Sequence, residues 1–354
     1  MFNNGVYTAE KVFTGTEWLY EHAIIVQDGW IKDILPTQKL LVPTTKAYNT
    51  LIPAFIDIQI YGATNKLFSV YQDVDSLQKL YEYCLAGKTN YFLPTVATNT
   101  YETFFNCIDA VKNYWQQGGK GCLGLHIEGP WINTIKRGAH VEALIHTPSI
   151  QQVQKLLHYG KGVIKMITLA PEICNQEIID TIRNDGIIVS AGHSNATYQQ
   201  ASNSFASGIT AVTHLYNAMS ALQHRQPGLV GATLNHSSIM ASIIPDGHHV
   251  QFEAIQIAKK IMQQRLFVIT DAVTTTTAGE YQHKLVGDKY ESNNILSGSA
   301  LTMEKAVHNL VNYCGIELEE ALRMCSLYPA QVLGLSHELG MIEKGYKAEF
   351  VEWN

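Results

Sequence analysis

The chain has 354 residues, of which 46% are hydrophobic and 16% are charged, and its formal net charge is −6. This composition excludes a disordered chain and suits one large domain with a well-buried core, alone or with a small second domain. The acidic balance and the lack of a long basic run argue against nucleic acid as a partner, although a local basic pocket could still bind a small anion.

Three features of the sequence indicate the cellular compartment of the protein: its cysteines, its first residues and the length of its apolar runs. The six cysteines are scattered without a C-x-x-C pair, so free thiols are expected instead of disulfides. The start, MFNNGVYTAEKVFTG, lacks the charged head and apolar stretch of a signal peptide. No apolar run approaches the roughly 18 residues of a membrane span. We therefore expect a cytoplasmic protein with no membrane partner.

The two ends of the chain are typical of β structure. Residues 3–42 contain EWLYEHAIIVQDGWIKDIL, which alternates apolar and polar residues around Asp28-Gly29 and so predicts a β-hairpin. The tail, GMIEKGYKAEFVEWN, has a similar strand–turn–strand pattern. We predict that both termini form one small β-sandwich domain, residues 1–50 and 338–354.

Eight apolar runs typical of buried strands follow between residues 51 and 272, with helix-like stretches such as DSLQKLYEYCLAGK, SIQQVQKLLHYGK and QFEAIQIAKKIMQQ between many of them. Buried strands that alternate with helices predict an α/β fold with a parallel sheet. Eight such units predict a closed (β/α)8 TIM-like barrel over residues 51–337, with a doubly wound open sheet as the alternative. The runs are 51–59, 90–96, 122–128, 163–170, 186–193, 209–214, 239–245 and 266–272.

Potential metal ligands and an acid end several of these runs. In such a barrel the carboxyl ends of the strands meet at the active site. Glu128 ends the third run, and His193 and His214 end the fifth and sixth. Together they make a His2Glu set, which with water in the fourth position is known for catalytic zinc. Asp271, at the end of the eighth run, could accept a proton from that water.

The other histidines need their own interpretation, because a lone histidine at a strand end is more often structural than a ligand. His126 shares a strand face with Glu128, and we assign it a packing or supporting role. Six further histidines are interpreted as surface or core residues: His22, His158, His236, His283, His308 and His337.

Six segments together resemble a known family: LGLHIEGPWIN, SAGHSNATY, THLYNAMSALQHRQPGLVGA, PDGHHV, VITDAV and LSGSALTMEKAV. They resemble the N-acetylglucosamine-6-phosphate deacetylases of the amidohydrolase superfamily. HIEGPW and THLYNAM with R-x-P-G are the specific motifs, and the likeness extends from about residue 50 to the closing GMIEKGYKAEF. The resemblance implies a metal-dependent hydrolase that converts N-acetyl-D-glucosamine 6-phosphate into D-glucosamine 6-phosphate and acetate.

The resemblance also implies roles for single residues. Asp271 would act as general base and then as general acid, and His140 would help to polarise the substrate carbonyl. The implied metal ligands are Glu128, His193 and His214. The implied substrate contacts are Ala139, His140, Asn217, Ala218, Leu296 and Ser297 for the sugar, with Arg225 and His249 for its phosphate. Members of this family are usually homodimers, which implies that Arg225 reaches the neighbouring subunit's site.

The stretch LIPAFIDIQIYGA bears on the number of metal ions. In many barrel hydrolases two histidines occupy the places held here by Gln59 and Tyr61, and neither of these residues is a good zinc ligand. By resemblance, Gln59 matches the branch of the family that holds one metal, although Tyr61 is bulkier than the asparagine expected beside it. We expect one divalent metal per subunit, zinc before iron, cobalt or manganese.

Two alternatives stay open at this point. The same chemistry could act on N-acetylgalactosamine 6-phosphate or another small amide, because nothing in the sequence distinguishes the sugar's configuration at C4. A metal-free scaffold or binding protein is an alternative of another class, against which the presence of all three ligands and Asp271 argues.

Overall fold

The computed structural model describes residues 3–292 and 294–354, so Met1 and Phe2 of the predicted small domain lie outside the described residues. The N-terminal region forms four strands: β1 (Gly5–Phe13), β2 (Trp18–Gln27), β3 (Trp30–Pro36) and β4 (Lys46–Pro53). β2 and β3 make the predicted hairpin, with Gln27 opposite Trp30. Its turn residues, Asp28 and Gly29, have φ angles of 54° and 79°. Two positive φ angles are what the favoured two-residue hairpin turn requires.

Eight parallel strands form the central sheet, and their neighbour order follows the chain. A parallel bridge between Ile60 and Ala272 joins the first strand to the residues after the last one. The sheet therefore closes into the predicted (β/α)8 barrel and is not an open doubly wound sheet. Its strands are β5 (Phe55–Ile60), β8 (Thr89–Ala97), β9 (Leu125–Glu128), β10 (Ile164–Leu169), β11 (Ile188–Ala191), β12 (Ala211–Val212), β13 (Met240–Ile243) and β14 (Leu266–Val268), and the short strands β6 (Gly62–Ala63) and β7 (Lys66–Leu67) lie between the first two.

The first predicted run, 51–59, is divided between two sheets. Leu51–Pro53 close β4, whereas Phe55 begins the first barrel strand. Every residue of β5 is buried, as is typical of a barrel strand covered on both faces. The continuous apolar pattern therefore hides the point at which the chain enters the barrel.

Helices surround the barrel and pack apolar stripes against it. In α2, Leu77, Leu80 and Cys84 are buried at intervals of three and four residues, the spacing of one helix face. Asp73 caps this helix by accepting a bond from the backbone N–H of Ser76 at 2.7 Å. Among the described residues, no helix combines the length and apolar content needed to span a membrane. The helices are α1 (Phe68–Tyr71), α2 (Val74–Ala86), α3 (Tyr101–Gln116), α4 (Ile150–Tyr159), α5 (Gln176–Asn184), α6 (Tyr198–Ala206), α7 (Gly228–Asn235), α8 (Phe252–Met262), α9 (Met303–Cys314), α10 (Leu318–Cys325) and α11 (Leu327–Val332).

A three-stranded antiparallel sheet lies in the chain between the last barrel strand and α9. It consists of β15 (Lys284–Val286), β16 (Lys289–Ser292) and β17 (Ile295–Ser299). No apolar run in the sequence predicted this sheet, because each strand is only three to five residues long and β15 is fully exposed.

The tail completes the small sheet. β18 (Phe350–Glu352) pairs antiparallel with β4, which gives the order β18-β4-β1-β2-β3. Just before β18, Tyr346 accepts a 2.8 Å bond from the N–H of Ile31, and Lys347 bridges to Trp30. The strands of both chain ends thus form one sheet with a core of its own. The prediction that both termini build one small β unit is confirmed. The buried residues of this core are Tyr7, Ala9, Val12, Ile24, Val26, Ile31, Leu51, Ile342, Ala348 and Phe350.

Candidate metal and active site

The predicted ligands and the predicted acid lie at the carboxyl ends of barrel strands. Glu128 is the last residue of β9, whereas His193, His214 and Asp271 follow β11, β12 and β14. The three residues that follow strands have positive φ angles of 46°, 36° and 55°. Non-glycine residues adopt this region at a conformational cost, and such residues cluster at functional sites.

Four buried side chains converge at this end of the barrel. Oε1 of Glu128 lies 3.0 Å from Nε2 of His214 and 3.3 Å from Nε2 of His193. The two histidine nitrogens are 3.1 Å apart. His140, from the loop after β9, places its Nε2 3.3 Å from the other oxygen, Oε2. Together they form a buried His/Glu cluster of the kind that can hold a divalent metal.

More than one ligand set is available in this cluster. The predicted set takes its two nitrogens from His193 and His214. A second set contains His140 with His193 and Glu128, whose ligand atoms all lie within 4.8 Å of one another. In the predicted set the Nε2 atoms of both histidines lie within 3.3 Å of the same oxygen, Oε1, whereas His140 faces Oε2.

The hydrogen bonds of His193 show that these residues fit a metal. Its Nδ1 lies 2.9 Å from the backbone oxygen of Lys136, which can only accept, so Nδ1 carries a proton. A ring with this single proton has a lone pair on Nε2. That lone pair faces Oε1 of Glu128, a second acceptor. Two acceptors at this distance repel unless a cation lies between them, and a divalent metal would supply that charge.

Gln59 and Tyr61 fill the space between the two carboxylates. Nε2 of Gln59 donates to Oε1 of Glu128 at 3.1 Å and to Oδ1 of Asp271 at 2.9 Å. The same Nε2 lies 2.8 Å from Oη of Tyr61, so its two N–H groups are shared among three acceptors, and the Tyr61 hydroxyl in turn donates to Oε2 of Glu128. Both side chains are buried. The places that hold histidines in other barrel hydrolases are therefore occupied by neutral groups that bind the two carboxylates.

Burial and the neighbouring histidines set the charge of these carboxyl groups. Burial alone would raise the pKa of Glu128, but the surrounding histidine rings outweigh it and hold the pKa well below its ordinary value. Burial raises the pKa of Asp271 against the opposing effects of His214 and His249. Asp271 therefore holds a proton more readily than an exposed aspartate, as a group that accepts and returns a proton needs to.

Two other polar groups of the cluster are neutral near neutral pH. Burial lowers the pKa of His140 to about 4. Burial, with the charges of Glu128 and Asp271, raises the pKa of Tyr61 well above its ordinary value. Tyr61 is therefore a hydrogen-bond donor, and His140 presents one N–H and one lone pair.

His249 lies between two aspartates. Its Nδ1 is 2.6 Å from Oδ2 of Asp246, and its Nε2 is 3.8 Å from Oδ2 of Asp271. The side chains of His249 and Asp246 are only 7% and 5% exposed. Burial alone would raise the pKa of Asp246, but its bond to His249 outweighs it and lowers the pKa. The Asp246 carboxylate therefore fixes the His249 ring on one side of the pocket.

A single pocket contains most of the predicted site residues. Those that line it are Tyr61, Glu128, Ala139, His140, His193, His214, Asn217, Ala218, His249, Asp271, Leu296 and Ser297. Gln59 is buried behind Tyr61 and is not part of the lining. His126 is also outside the lining, and its ring bonds to Thr168 at 2.8 Å and to the backbone oxygen of Ile58 at 3.1 Å.

Arg225 is the predicted site residue that lies away from the pocket. It is exposed in the loop before α7 and does not line the cavity. Among the described residues that line the pocket there is no lysine or arginine.

Tyr281 and His283 are among the polar residues of the pocket that sequence reasoning missed. His283, interpreted as a surface or core residue, is buried, and its Nδ1 lies 2.8 Å from Oγ of Ser297. Burial lowers its pKa to about 4. The hydroxyl of Tyr281 donates to the backbone oxygen of Thr98 at 2.6 Å. The one sequence signal that could have found them is their position between Asp271 and LSGSALTMEKAV.

Comparison with known proteins gives matches over nearly the whole chain. The model of the Amidohydrolase family matches residues 50–354, and that of the NagA composite domain matches residues 6–43. The chain is 33% identical to the N-acetylglucosamine-6-phosphate deacetylase of Haemophilus influenzae over 94% of this chain and 91% of that protein. It is 30% identical to the N-acetylgalactosamine-6-phosphate deacetylase of Escherichia coli O157:H7, over 98% of this chain and 94% of that protein.

A solved structure shows the same similarity. The crystal structure of N-acetylglucosamine-6-phosphate deacetylase from Pasteurella multocida superimposes with a TM-score of 0.92 and 35% sequence identity, covering 98% of this chain and 94% of that one. A barrel whose strand ends carry a buried His/Glu cluster and a buried acid is the architecture of a metal-dependent hydrolase. The chain belongs to the amidohydrolase family. The resemblance drawn from the sequence motifs is thereby confirmed.

Proposed function

We propose that the protein removes the acetyl group of N-acetyl-D-glucosamine 6-phosphate and releases acetate and D-glucosamine 6-phosphate. The observation that carries the proposal is that one pocket contains a buried His/Glu cluster, Asp271 with a raised pKa, and His249 on an acidic partner. The relatives named for this reaction support the choice of substrate.

We assign the metal ligands to Glu128, His193 and His214, because the Nε2 atoms of both histidines lie within 3.3 Å of the same carboxylate oxygen, Oε1. One divalent metal bound there, zinc or alternatively iron, cobalt or manganese, would supply a Lewis acid and lower the pKa of water. Gln59 and Tyr61 support a single ion. They already satisfy the oxygens of Glu128 and Asp271 through hydrogen bonds, and neither is a good metal ligand.

Asp271 moves the proton in this proposal. Its carboxylate accepts a proton from the attacking water as the new C–O bond forms at the acetyl carbon. It then gives the same proton to the amide nitrogen as the C–N bond breaks, so that the amine leaves neutral. A raised pKa suits both steps, because the group must hold the proton between them.

His140 is assigned to the carbonyl oxygen of the acetyl group. Its Nε2 faces the cluster, and an N–H at this position donates to the oxygen as negative charge develops there. Burial keeps the ring neutral, so the ring contributes a directed dipole instead of a competing charge near the metal.

The remaining lining residues are assigned to the sugar phosphate. Asn217 and Ala218 from the loop after β12, with Ala139, Leu296 and Ser297, surround the sugar in this proposal. His249 binds the phosphate, with its ring held by the Asp246 carboxylate. The described lining contains no lysine or arginine, so we propose a homodimer in which Arg225 enters the neighbouring subunit's pocket and binds the phosphate bidentately.

Two further predictions from the sequence belong to this proposal. One is the division into a small β domain, residues 1–50 and 338–354, and a barrel domain, residues 51–337. The other is a location in the cytoplasm.

N-Acetylgalactosamine 6-phosphate is the second candidate substrate, and the relative from Escherichia coli O157:H7 favours it. The cluster, Asp271 and His249 would serve both sugars equally, because these residues act on the acetamide and on the phosphate. The two candidates differ only at C4 of the sugar. Other small amides and a metal-free scaffold are the remaining alternatives.

The test combines metal analysis of freshly purified protein with acetate release. The substrates to compare are N-acetylglucosamine 6-phosphate, its unphosphorylated form and N-acetylgalactosamine 6-phosphate. About one metal per chain and acetate release that depends on the phosphate would support the proposal. Faster acetate release from N-acetylgalactosamine 6-phosphate would favour the second candidate substrate. If no bound metal and no acetate release are found, even after addition of zinc or iron, the protein would be a scaffold.

A further inference from the structure

Thr98 makes a short contact to the histidine assigned to the acetyl carbonyl. Thr98 follows the last residue of β8, is fully buried, and has its Oγ1 2.7 Å from Nδ1 of His140. The other acceptor of this hydroxyl, the backbone oxygen of Glu128, is 3.5 Å away and too distant to compete. The hydroxyl of Thr98 and the ring of His140 are therefore a hydrogen-bonded pair within the barrel.

The opposite side of the ring determines the direction of that bond. Nε2 of His140 lies 3.3 Å from Oε2 of Glu128, and an ionised carboxylate only accepts. A proton on Nε2 satisfies that carboxylate, and a ring with this single proton has a lone pair on Nδ1. The hydroxyl of Thr98 must donate to that lone pair, because an N–H there would leave Nε2 as a bare acceptor against the carboxylate.

Thr98 is itself held from two sides. Tyr281 donates its hydroxyl to the backbone oxygen of Thr98 at 2.6 Å. Gly129, in the HIEGPW motif, lies against the Thr98 hydroxyl, and a Cβ at Gly129 would come within 2.2 Å of Oγ1. Gly129 also has a φ of +81°, which favours glycine. The chain thus keeps room at this point for the hydroxyl of Thr98.

We infer that Thr98 is a positioning residue, whose hydroxyl donates to Nδ1 of His140 and keeps its proton on Nε2, directed at the acyl oxygen of the substrate. The inference rests on the proposed function, because the ring acts on a carbonyl only if the substrate is an amide. If the proton were on Nδ1, Nε2 would present a lone pair to the developing oxyanion and repel it. The orientation of the ring therefore matters for the transition state more than for substrate binding.

The kinetic test compares Thr98→Val, which has the same shape without the hydroxyl, with Thr98→Ser, which keeps the hydroxyl. Thr98→Val should lower kcat about 10- to 100-fold with little change in KM, because outer contacts of site histidines have effects of this size. Thr98→Ser should restore most of kcat. Thr95→Val is the matched control, since Thr95 is a buried threonine of β8, the strand that Thr98 follows, and has no bond to His140. If Thr98→Val does not fold, Thr98→Ala replaces it.

The second test observes the proton itself. Protein labelled with [15N]histidine and freed of metal should show His140, identified by its loss in His140→Asn, with its proton on Nε2 and a hydrogen-bonded Nδ1. A proton on Nδ1, or on both nitrogens, would overturn the inference. So would a kcat for Thr98→Val within about twofold of wild type, or a change in KM alone. An inactive wild-type protein would instead overturn the proposed function.

Discussion

Asp271 is the residue on which the proposed proton transfers depend. Asp271→Asn keeps the size of the side chain and an oxygen that can accept from Gln59, but it removes the proton acceptor. We expect kcat to fall by about two to four orders of magnitude, the usual contribution of a general acid–base group. The metal content should stay at the wild-type value, because the assigned ligands are unchanged. Steady-state kinetics together with metal analysis checks both, and turnover that survives would assign the proton transfer to another group.

Asp57 is a second buried carboxyl group, on the first barrel strand below the pocket. Its oxygens accept bonds from the backbone N–H groups of Gln59 and Thr270 and from the hydroxyl of Thr270. Burial outweighs these bonds and raises the pKa of Asp57 to about 7. The folded protein therefore binds the Asp57 proton more tightly than the unfolded chain does.

This raised pKa predicts how stability depends on pH. A group whose pKa is higher in the folded state contributes stability that is complete below its unfolded pKa and is lost as the pH rises through the folded value. For Asp57 the loss between about pH 4 and pH 8 should amount to about 4 kcal/mol. Asp57→Asn should show a correspondingly smaller loss in urea unfolding across this range. The exposed Asp185→Asn serves as control, and parallel curves for wild type and Asp57→Asn would contradict the prediction.

Residues at strand ends could be predicted from the sequence, whereas residues that support them could not. Glu128, His193 and His214 end apolar runs, and parallel strands bring such residues together whatever the loops do. Thr98 bonds to a residue 42 positions away, and His283 bonds to one 14 positions away. Such pairs depend on loop geometry, which leaves no periodic pattern in the sequence.

The loop after β13 is the element that presents His249 to the pocket. Asp246 accepts hydrogen bonds from the backbone N–H groups of His248 and His249 at 2.9 and 2.8 Å. It also bonds to the ring of His249. One carboxylate therefore fixes both the turn and the imidazole. His248, its neighbour, instead bonds outward to Asp288 at 2.6 Å.

Asp246→Asn should weaken the binding of a phosphorylated substrate. Asparagine can still accept the backbone bonds, but it removes the negative charge that holds the His249 ring in place. We expect KM for N-acetylglucosamine 6-phosphate to rise about 10-fold, the usual size of a charge-assisted hydrogen bond, with kcat changed much less. His248→Gln is the matched control on the same loop and should leave KM near the wild-type value. A fall in kcat alone would remove His249 from phosphate binding.

Whole elements differ in how far the sequence reveals them. The barrel strands are buried on both faces, so their apolar runs stand out, and each predicted run overlaps an observed strand. The sheet of β15, β16 and β17 has exposed and half-buried strands with two lysines and a glutamate, so no apolar run marks it. Because β17 contributes Leu296 and Ser297 to the pocket, part of the site lies on an element that periodicity does not reveal.

At the scale of the whole molecule, the described pocket lacks a permanent cation for a sugar phosphate. Its lining residues include His249 but, among those the structure describes, no lysine or arginine. Arg225 is exposed in the loop before α7, outside the pocket of its own chain. A two-fold dimer would place the same loop of each subunit against its partner, so that each subunit could complete the other's site.

Subunit complementation tests this arrangement. Arg225→Ala and Asp271→Asn should each be poorly active alone. In a mixed dimer, the Arg225→Ala subunit keeps Asp271 and receives Arg225 from its partner, so one of the two sites is complete. Random mixing of equal amounts should therefore restore kcat/KM to about a quarter of wild type, because half of the dimers are mixed and each has one complete site. If Arg225 acted within its own chain, no mixed dimer would contain a complete site, and mixing would restore nothing.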